Sequence, residues 1–305
     1  MGKIAFVFPG QGAQHPGMGK ELAEIAMGAA DVFAMADKIR PGTSRQCFEG
    51  TEEELKETGI TQPCLFAVEM AAAKALKDRG VYADMVAGFS LGELAALSYS
   101  QVVDESTMFH LVCRRGELMQ EAAERVQTAM TAVVKLTAEE VEKICNLFEG
   151  VYPVNYNCPG QVTVACLAEK LPEFSAAVKN AGGRALSLKV SGGFHSPFMA
   201  QAAQEFGVLL AEKEFSLPGL TVYSNCTGEP YDSEIKGLLA RQICSPVRWE
   251  AIVRHMIASG ADTFIEVGPG SVLSGLIGRI DKNVRTFQVC DRNSLENCVK
   301  EVLEC

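Results

Sequence analysis

The chain has 305 residues, and its 48% hydrophobic and 22% charged content is that of a globular protein with one large or two ordinary domains. A formal net charge of −10 argues against nucleic acid as a partner, because such a partner requires a basic surface. No apolar run reaches the roughly 18 residues of a membrane span. The 11 cysteines form no C-x-x-C pair and no secretory signal precedes the first strand pattern, so we expect reduced thiols, no metal centre and a cytoplasmic location.

The first 127 residues alternate apolar strand patterns with helical patterns. Strands are predicted at residues 4–8 and 84–89, and helices at 62–79 and 107–125. A glycine-rich loop at 9–17 follows the first strand, and Gly80 is expected to end the first of these helices. This order predicts an α/β fold with a largely parallel sheet.

Residues 128–190 show a different order. Strand patterns at 129–136, 152–157, 161–166 and 184–190 surround helical patterns at 138–148 and 171–181, which is the β-α-β-β-α-β order of a small ferredoxin-like unit. Beyond it, a strand at 263–267 runs through Gly268-Pro269-Gly270 into a helix from residue 271. We therefore predict a large α/β domain of residues 1–127 and 191–305, with the unit 128–190 inserted in it.

The segment Gly88-Phe89-Ser90-Leu91-Gly92 fits G-x-S-x-G between a predicted strand and a predicted helix. In this motif a sharp strand-to-helix turn lifts a serine hydroxyl clear of the backbone as a nucleophile. A β-carbon at either glycine would crowd the turn. Ser90 is therefore the candidate nucleophile.

A serine nucleophile needs a base, and the chain has four histidines. His110 and His255 lie in amphipathic helical patterns, and His15 lies in the first glycine-rich loop. His195 follows Gly192-Gly193 at the exit of the inserted unit, close to a crevice between the predicted domains. We interpret His195 as the general base.

Backbone amides can stabilise the oxyanion of acyl transfer. The amide of Leu91 follows the nucleophile, and that of Gln11 lies in a loop at the same edge of the sheet. That loop lacks the third glycine of a dinucleotide-binding turn and the lysine of a phosphate-binding loop. The residues alone assign no acid to the histidine and leave a hydrolase and a transferase both open.

The motifs, taken in order, resemble those of the malonyl-CoA:acyl carrier protein transacylases, the acyltransferases of type II fatty-acid synthesis. They span nearly the whole chain, which makes the set far more specific than any single motif. The matching segments are Phe8-Pro9-Gly10-Gln11-Gly12-Ala13-Gln14, Thr61-Gln62-Pro63, Gly88 through Glu93, Arg115-Gly116 with Met119-Gln120, Asn155-Tyr156-Asn157 with Pro159-Gly160-Gln161-Val162, Val190-Ser191 with Phe194-His195, Ser245-Pro246-Val247-Arg248-Trp249, and Glu266-Val267-Gly268-Pro269-Gly270.

The resemblance implies an α/β-hydrolase-like large domain with a ferredoxin-like subdomain, and it implies a role for each matching site residue. Arg115 would pair with the free carboxylate of malonate, since guanidinium grips a carboxylate bidentately. Phe194, together with Leu91, would favour malonyl over methylmalonyl groups. The other roles are the malonyl ester on Ser90, proton transfer by His195, orientation of that histidine by the main-chain carbonyl of Gln242, and an oxyanion hole from the amides of Gln11 and Leu91.

The resemblance also implies malonyl-CoA as substrate, acyl carrier protein as a transient partner, and neither a metal nor a bound organic cofactor. A monomer is the simplest expectation. Phe89 departs from the family, in which histidine usually stands at this position, and we interpret it as a tolerated variant. The alternatives are a free-standing acyltransferase of a polyketide pathway, a serine acyl hydrolase of the α/β class, and a non-catalytic module that binds the carrier protein.

Overall fold

Two separate sheets organise the chain in the computed structural model, which describes residues 2–188, 190 and 192–303. The strands are β1 (Lys3–Phe8), β2 (Met85–Gly88), β3 (Thr128–Val134), β4 (Val151–Cys158), β5 (Gln161–Leu167), β6 (Arg184–Ser187), β7 (Thr221–Tyr223), β8 (Ala261–Val267) and β9 (Arg285–Val289).

The helices of the described residues cover both sheets. They are α1 (Lys20–Ile25), α2 (Met27–Ile39), α3 (Thr43–Glu49), α4 (Thr58–Asp78), α5 (Gly92–Tyr99), α6 (Glu105–Arg125), α7 (Ala138–Cys145), α8 (Leu171–Asn180), α9 (Ala200–Ala211), α10 (Ile235–Gln242), α11 (Trp249–Ala258), α12 (Val272–Ile280) and α13 (Arg292–Leu303). In this part of the chain, none of them is both long enough and apolar enough to cross a bilayer.

The first sheet is parallel, with the order β7-β2-β1-β8-β9. Its central strand β1 is fully buried from Ala5 to Phe8, as its unbroken apolar run predicts for a sheet covered on both faces. Phe8 pairs with Gly88 of β2, and Val7 pairs with Glu266 of β8. The loops after β1, β2 and β8 therefore leave from one edge of the sheet.

The second sheet is antiparallel, with the order β4-β5-β3-β6. With α7 and α8 it has an apolar core of its own, which includes Val133, Val164 and Phe174. The predicted β-α-β-β-α-β order is present, although β6 ends at Ser187 rather than at residue 190. Lys189 and Ser191 lie outside the described residues.

Helices α4 and α6 are 21 residues each and pack against one another. Helix α4 begins at Thr58, four residues before its predicted start, and it continues through Pro63. The prediction placed its start too late because the segment before the apolar run carries no side-chain cap. In α6 the Asp104 side chain accepts a hydrogen bond from the Thr107 amide, which fixes where this helix begins.

Candidate active site

The turn between β2 and α5 holds Ser90 in a left-handed backbone conformation, with φ of 55°. A β-carbon at Gly88 would lie 1.8 Å from the carbonyl carbon of Gly92, and one at Gly92 would lie 2.1 Å from the Phe8 oxygen. Only glycine fits either position, as the motif predicts. The strained turn presents the Ser90 hydroxyl at the carboxyl edge of the parallel sheet.

Asn225 holds this turn from the neighbouring strand. It lies two residues after β7, and its side-chain oxygen accepts a hydrogen bond from the Ser90 amide at 2.7 Å. Its side-chain nitrogen donates to the Gly88 carbonyl at 2.6 Å. Sequence reasoning missed Asn225; the available signal was a polar side chain just after a strand that ends at this edge.

His195 lies next to the serine, as predicted. Its Nε2 is 2.7 Å from the Ser90 hydroxyl oxygen, and its Nδ1 is 2.8 Å from the main-chain oxygen of Gln242. A carbonyl oxygen only accepts, so Nδ1 carries the proton and Nε2 is free to accept one from Ser90. The Gln242 carbonyl thus occupies the place that an acid has in a serine triad.

Burial, followed by the nearby charge of Arg115, lowers the pKa of His195 to about 4. The imidazole is therefore neutral at neutral pH, which is the form that a general base needs. The backbone of His195 also has a positive φ, of 61°, and its amide donates to the Ile243 carbonyl at 3.1 Å.

Arg115 is fully buried beside the nucleophile. One terminal nitrogen donates to the Gln62 side-chain oxygen at 2.7 Å, and the other donates to the Gln242 side-chain oxygen at 2.7 Å and to the Ser90 hydroxyl at 3.3 Å. Burial lowers the pKa of Arg115 to about 10, so its charge remains at neutral pH. Arg114 instead points outward, is half exposed and pairs with Glu117.

A second buried group lies behind the arginine. The Gln242 side-chain nitrogen donates to the Ser90 carbonyl at 2.6 Å and to Glu93 Oε2 at 2.7 Å. Glu93 is fully buried, and its Oε1 accepts from the Tyr231 hydroxyl at 2.6 Å and the Asn225 amide at 2.9 Å. Sequence reasoning assigned no role to Glu93 or Tyr231.

The loop after β1 packs against the serine turn. The Phe89 amide donates to the Phe8 carbonyl at 2.9 Å, and a β-carbon at Gly10 would lie 2.6 Å from the Phe89 oxygen. Among the described residues, the backbone amides of Gln11 and Leu91 donate to no other group. Both predicted oxyanion donors are thus available at the edge that carries Ser90.

The two phenylalanines of interest face apolar surroundings. Phe194 is 6% exposed and belongs to the main core. Phe89 is partly buried, and its ring lies edge-on to Trp249 with the centroids 5.6 Å apart. Phe89 thus contributes to packing beside the nucleophile where a histidine would offer hydrogen bonds.

These residues provide the parts of a serine acyl-transfer site: Ser90 at the carboxyl edge of the sheet, the neutral imidazole of His195, and the available backbone amides of Gln11 and Leu91. Comparison with known proteins agrees: residues 5–291 match the family model described as acyl transferase domain. A malonyl CoA-acyl carrier protein transacylase of Bacillus subtilis (strain 168) is 37% identical over 312 residues, which cover 100% of this chain and 98% of that protein.

Solved structures are equally similar. A malonyl CoA-acyl carrier protein transacylase from Clostridium perfringens superposes with a TM-score of 0.96 at 36% identity, covering 99% of this chain and 98% of that one. A malonyl-transacylase in complex with its type II PKS acyl-carrier protein gives 0.94 at 36% identity, covering 98% and 99%. The chain therefore belongs to the acyl transferase family, and within it to the malonyl CoA-acyl carrier protein transacylases.

Proposed function

We propose that this chain transfers the malonyl group of malonyl-CoA to the phosphopantetheine thiol of acyl carrier protein, through an ester on Ser90, and so supplies extender units for fatty-acid synthesis. The observation that carries the proposal is the buried guanidinium of Arg115, 3.3 Å from the Ser90 hydroxyl. The described residues place no carboxylate within ion-pairing distance of it. A substrate carboxylate would supply the missing partner.

In the first half-reaction, Ser90 Oγ attacks the thioester carbonyl while Nε2 of His195 accepts the hydroxyl proton. The amides of Gln11 and Leu91 receive the oxyanion. When the tetrahedral intermediate collapses, the carbon–sulfur bond breaks, and His195 returns its proton to the leaving CoA thiolate. The malonyl group is then an ester of Ser90.

The second half-reaction reverses these roles. The phosphopantetheine thiol of the carrier protein enters, gives its proton to His195, and attacks the Ser90 ester. The serine oxygen leaves with the proton that His195 holds. Each step uses only side chains and backbone amides, and we propose that the enzyme works without a metal or a bound organic cofactor.

Arg115 would select the acyl group. Malonyl differs from acetyl by one carboxylate, which can make two parallel hydrogen bonds to the guanidinium. An acetyl group would leave the buried charge of Arg115 with only neutral acceptors. The free-energy cost of burying that charge would then oppose the binding of acetyl and favour malonyl. Phe194 would narrow the pocket against an α-methyl branch, so that malonyl is preferred over methylmalonyl.

We extend the proposal to the architecture and setting. Residues 1–127 and 191–305 would form an α/β-hydrolase-like domain, and residues 128–190 a ferredoxin-like subdomain, which the order β4-β5-β3-β6 supports. The cysteines of the described residues are unpaired thiols, which supports a reducing compartment such as the cytoplasm. The monomer remains the simplest expectation.

Intact-protein mass spectrometry after exposure to malonyl-CoA tests the proposal. The wild-type chain should gain the mass of one malonyl group, and Ser90→Ala should gain none. An equal adduct on Ser90→Ala would overturn the assignment of the nucleophile. Rapid loss of the adduct to water in the absence of carrier protein would support a hydrolase instead. Absence of any adduct on the wild-type chain would support the alternative of a non-catalytic module that binds the carrier protein.

A polyketide pathway is the second candidate, because one of the similar structures holds a type II PKS acyl-carrier protein. Both functions use the same site. Transfer rates from the malonyl-Ser90 enzyme to the fatty-acid and polyketide carrier proteins of the host would separate them. A higher kcat/KM with the polyketide carrier would favour the second candidate.

A further inference from the structure

We propose that Glu93 is a positioning residue whose carboxylate sets the orientation of the Gln242 side-chain amide and, through it, the aim of Arg115 at the substrate. This inference rests on the proposed function and deepens it. Glu93 is the residue that follows the G-x-S-x-G turn and is buried behind the site.

The Gln242 amide can satisfy its neighbours in one orientation only. Its nitrogen has two N–H groups, and these point at two groups that can only accept, the Ser90 carbonyl at 2.6 Å and Glu93 Oε2 at 2.7 Å. The amide oxygen is therefore turned toward Arg115, which donates to it at 2.7 Å. Flipping the amide would set its N–H groups against the guanidinium N–H groups.

Glu93 is suited to this role only when it is ionised. Three donors converge on its two oxygens: the Gln242 nitrogen on Oε2, and the Asn225 amide and Tyr231 hydroxyl on Oε1. A carboxylate accepts all three. A proton on Oε2 would face the Gln242 nitrogen and favour the flipped amide.

The surroundings of Glu93 set the pH at which its carboxylate takes up a proton. Burial raises the pKa of Glu93 to about 7, against the lowering effects of Tyr231, Asn225, Gln242 and the charge of Arg115. Cys226, on the segment after β7, also interacts with Glu93, and burial raises the pKa of this thiol to about 12, so that it is neutral. The positioning state is present above pH 7 and is lost as the pH falls through that value.

The indirect arrangement has a consequence for the charge of Arg115. Its terminal nitrogens are held by the neutral side-chain oxygens of Gln62 and Gln242, so they are fixed in space without being neutralised. A carboxylate in direct contact would compete with the carboxylate of malonate. Glu93, placed behind Gln242, supports the orientation and leaves the charge for the substrate.

Glu93→Gln keeps the shape of the side chain and removes its charge. We expect kcat/KM for malonyl-CoA to fall about tenfold or more, mainly through KM, because an arginine that is wrongly aimed binds the carboxylate less well. The value for acetyl-CoA should fall by less, so that the malonyl-to-acetyl ratio drops. An unchanged malonyl-to-acetyl ratio would overturn the inference, whether neither value falls or both fall equally.

Glu266→Gln is the matched control. Glu266 is also fully buried, and its carboxylate accepts hydrogen bonds from the Leu273 and Ser274 amides at 3.1 and 2.8 Å. The hydrogen bonds of Gln242 and Arg115 go to other residues. The same chemical change there should lower the thermal stability and leave the malonyl-to-acetyl ratio unchanged. A ratio that falls equally in both variants would mean that general destabilisation is the cause, and the inference would fail.

Tyr231→Phe provides a milder test that preserves packing. It removes one donor to the Glu93 carboxylate, so the pKa of Glu93 rises and the ionised form is lost at a higher pH. The lower limb of the malonyl-CoA pH profile should therefore move to higher pH. A limb that stays in place would contradict the role of Glu93.

The wild-type mass measurement separates the two claims. If wild-type enzyme forms no malonyl-Ser90 adduct, the proposed function and this inference both fail. If the adduct forms and Glu93→Gln keeps the wild-type acyl preference, the inference alone fails.

Discussion

At the carboxyl edge of the parallel sheet, Ser90 has a positive φ, and Glu93, Arg115 and Gln242 lie fully buried in one hydrogen-bonded cluster. The antiparallel sheet packs against α7 and α8 through an apolar core. Its helix α7 begins with a capping box, in which the Thr137 and Glu140 side chains each accept the other's backbone amide. Among the described residues, the fully buried charged side chains belong to the first region, whereas the second is held by apolar packing and a local helix cap.

The difference shows where strain and buried charge are tolerated. A buried unpaired guanidinium and a left-handed serine cost free energy, and they persist only because the surrounding packing holds them. His195 lies eight residues after the end of β6 in the sequence, and its Nδ1 and backbone amide donate to the Gln242 and Ile243 carbonyls. The base is therefore held by the region around Ser90.

Removal of the base His195 should have the largest effect on the malonyl transfer rate. His195→Ala should lower the malonyl transfer rate by about 10³-fold, since general acid–base catalysis contributes roughly 10²–10⁴-fold. Release of CoA measures the rate. His255→Ala is the control, because His255 lies on α11 and contacts the Gly228 carbonyl instead of Ser90. A loss below about tenfold for His195→Ala would contradict its role.

Neighbouring arginines on α6 offer the next comparison. Arg115→Ala should lower kcat/KM for malonyl-CoA about 100-fold, the value of a bidentate contact to a charged group, and raise the relative use of acetyl-CoA. Arg114→Ala should leave both values near those of the wild type, because Arg114 is half exposed and pairs with Glu117. Equal effects of the two substitutions would remove Arg115 from acyl selection.

A smaller effect should appear in the titration of the base. The charge of Arg115 is one cause of the low pKa of His195, so Arg115→Ala should raise this pKa from about 4 toward its ordinary value. NMR of labelled histidine follows the titration, and His195→Ala identifies the signal among the four histidines. Malonate bound to Arg115 should shift the pKa in the same direction. A titration that does not move would show that burial alone sets it.

A substitution in the antiparallel region should change the stability of the protein and leave its activity unchanged. Thr137→Ala removes the side-chain oxygen that accepts the Glu140 amide, and should lower the free energy of unfolding by about 1 kcal/mol. Urea denaturation measures the loss, while the transfer rate below the transition should be that of the wild type. A matching loss of activity would show that the two regions are coupled more tightly than the contacts indicate.

The nucleophile turn was predictable from sequence because its requirements are local. Two glycines at fixed spacing, between a strand and a helix, predict the geometry that Ser90 adopts. The predicted strand and helix patterns were accessible for the same reason, with differences at element ends such as the start of α4 and the end of β6. The two edge strands of the parallel sheet, β7 and β9, were not predicted. His195 was predicted from its place after Gly192-Gly193, whereas Arg115 and Gln242 were reached through the resemblance; the structure brings all three to Ser90.

Asn225, Glu93, Tyr231 and Gln62 were not predicted as site residues. Each acts through a partner far away in the chain: Asn225 is 135 residues from Ser90, and Tyr231 is 138 residues from Glu93. No periodicity or motif reports such a contact, since a buried glutamate in a helix pattern reads as an ordinary polar residue. Only the folded chain shows that it lies behind a guanidinium.

The sequence by itself determined the α/β class, the two kinds of sheet and the serine turn, because these follow from hydrophobic period and from backbone conformations that only certain residues adopt. The tertiary structure decided which side chains become buried together, and therefore which groups are charged and which way the Gln242 amide points. Burial and long-range contact shift pKa values and fix hydrogen-bond direction, and neither exists until the chain has folded.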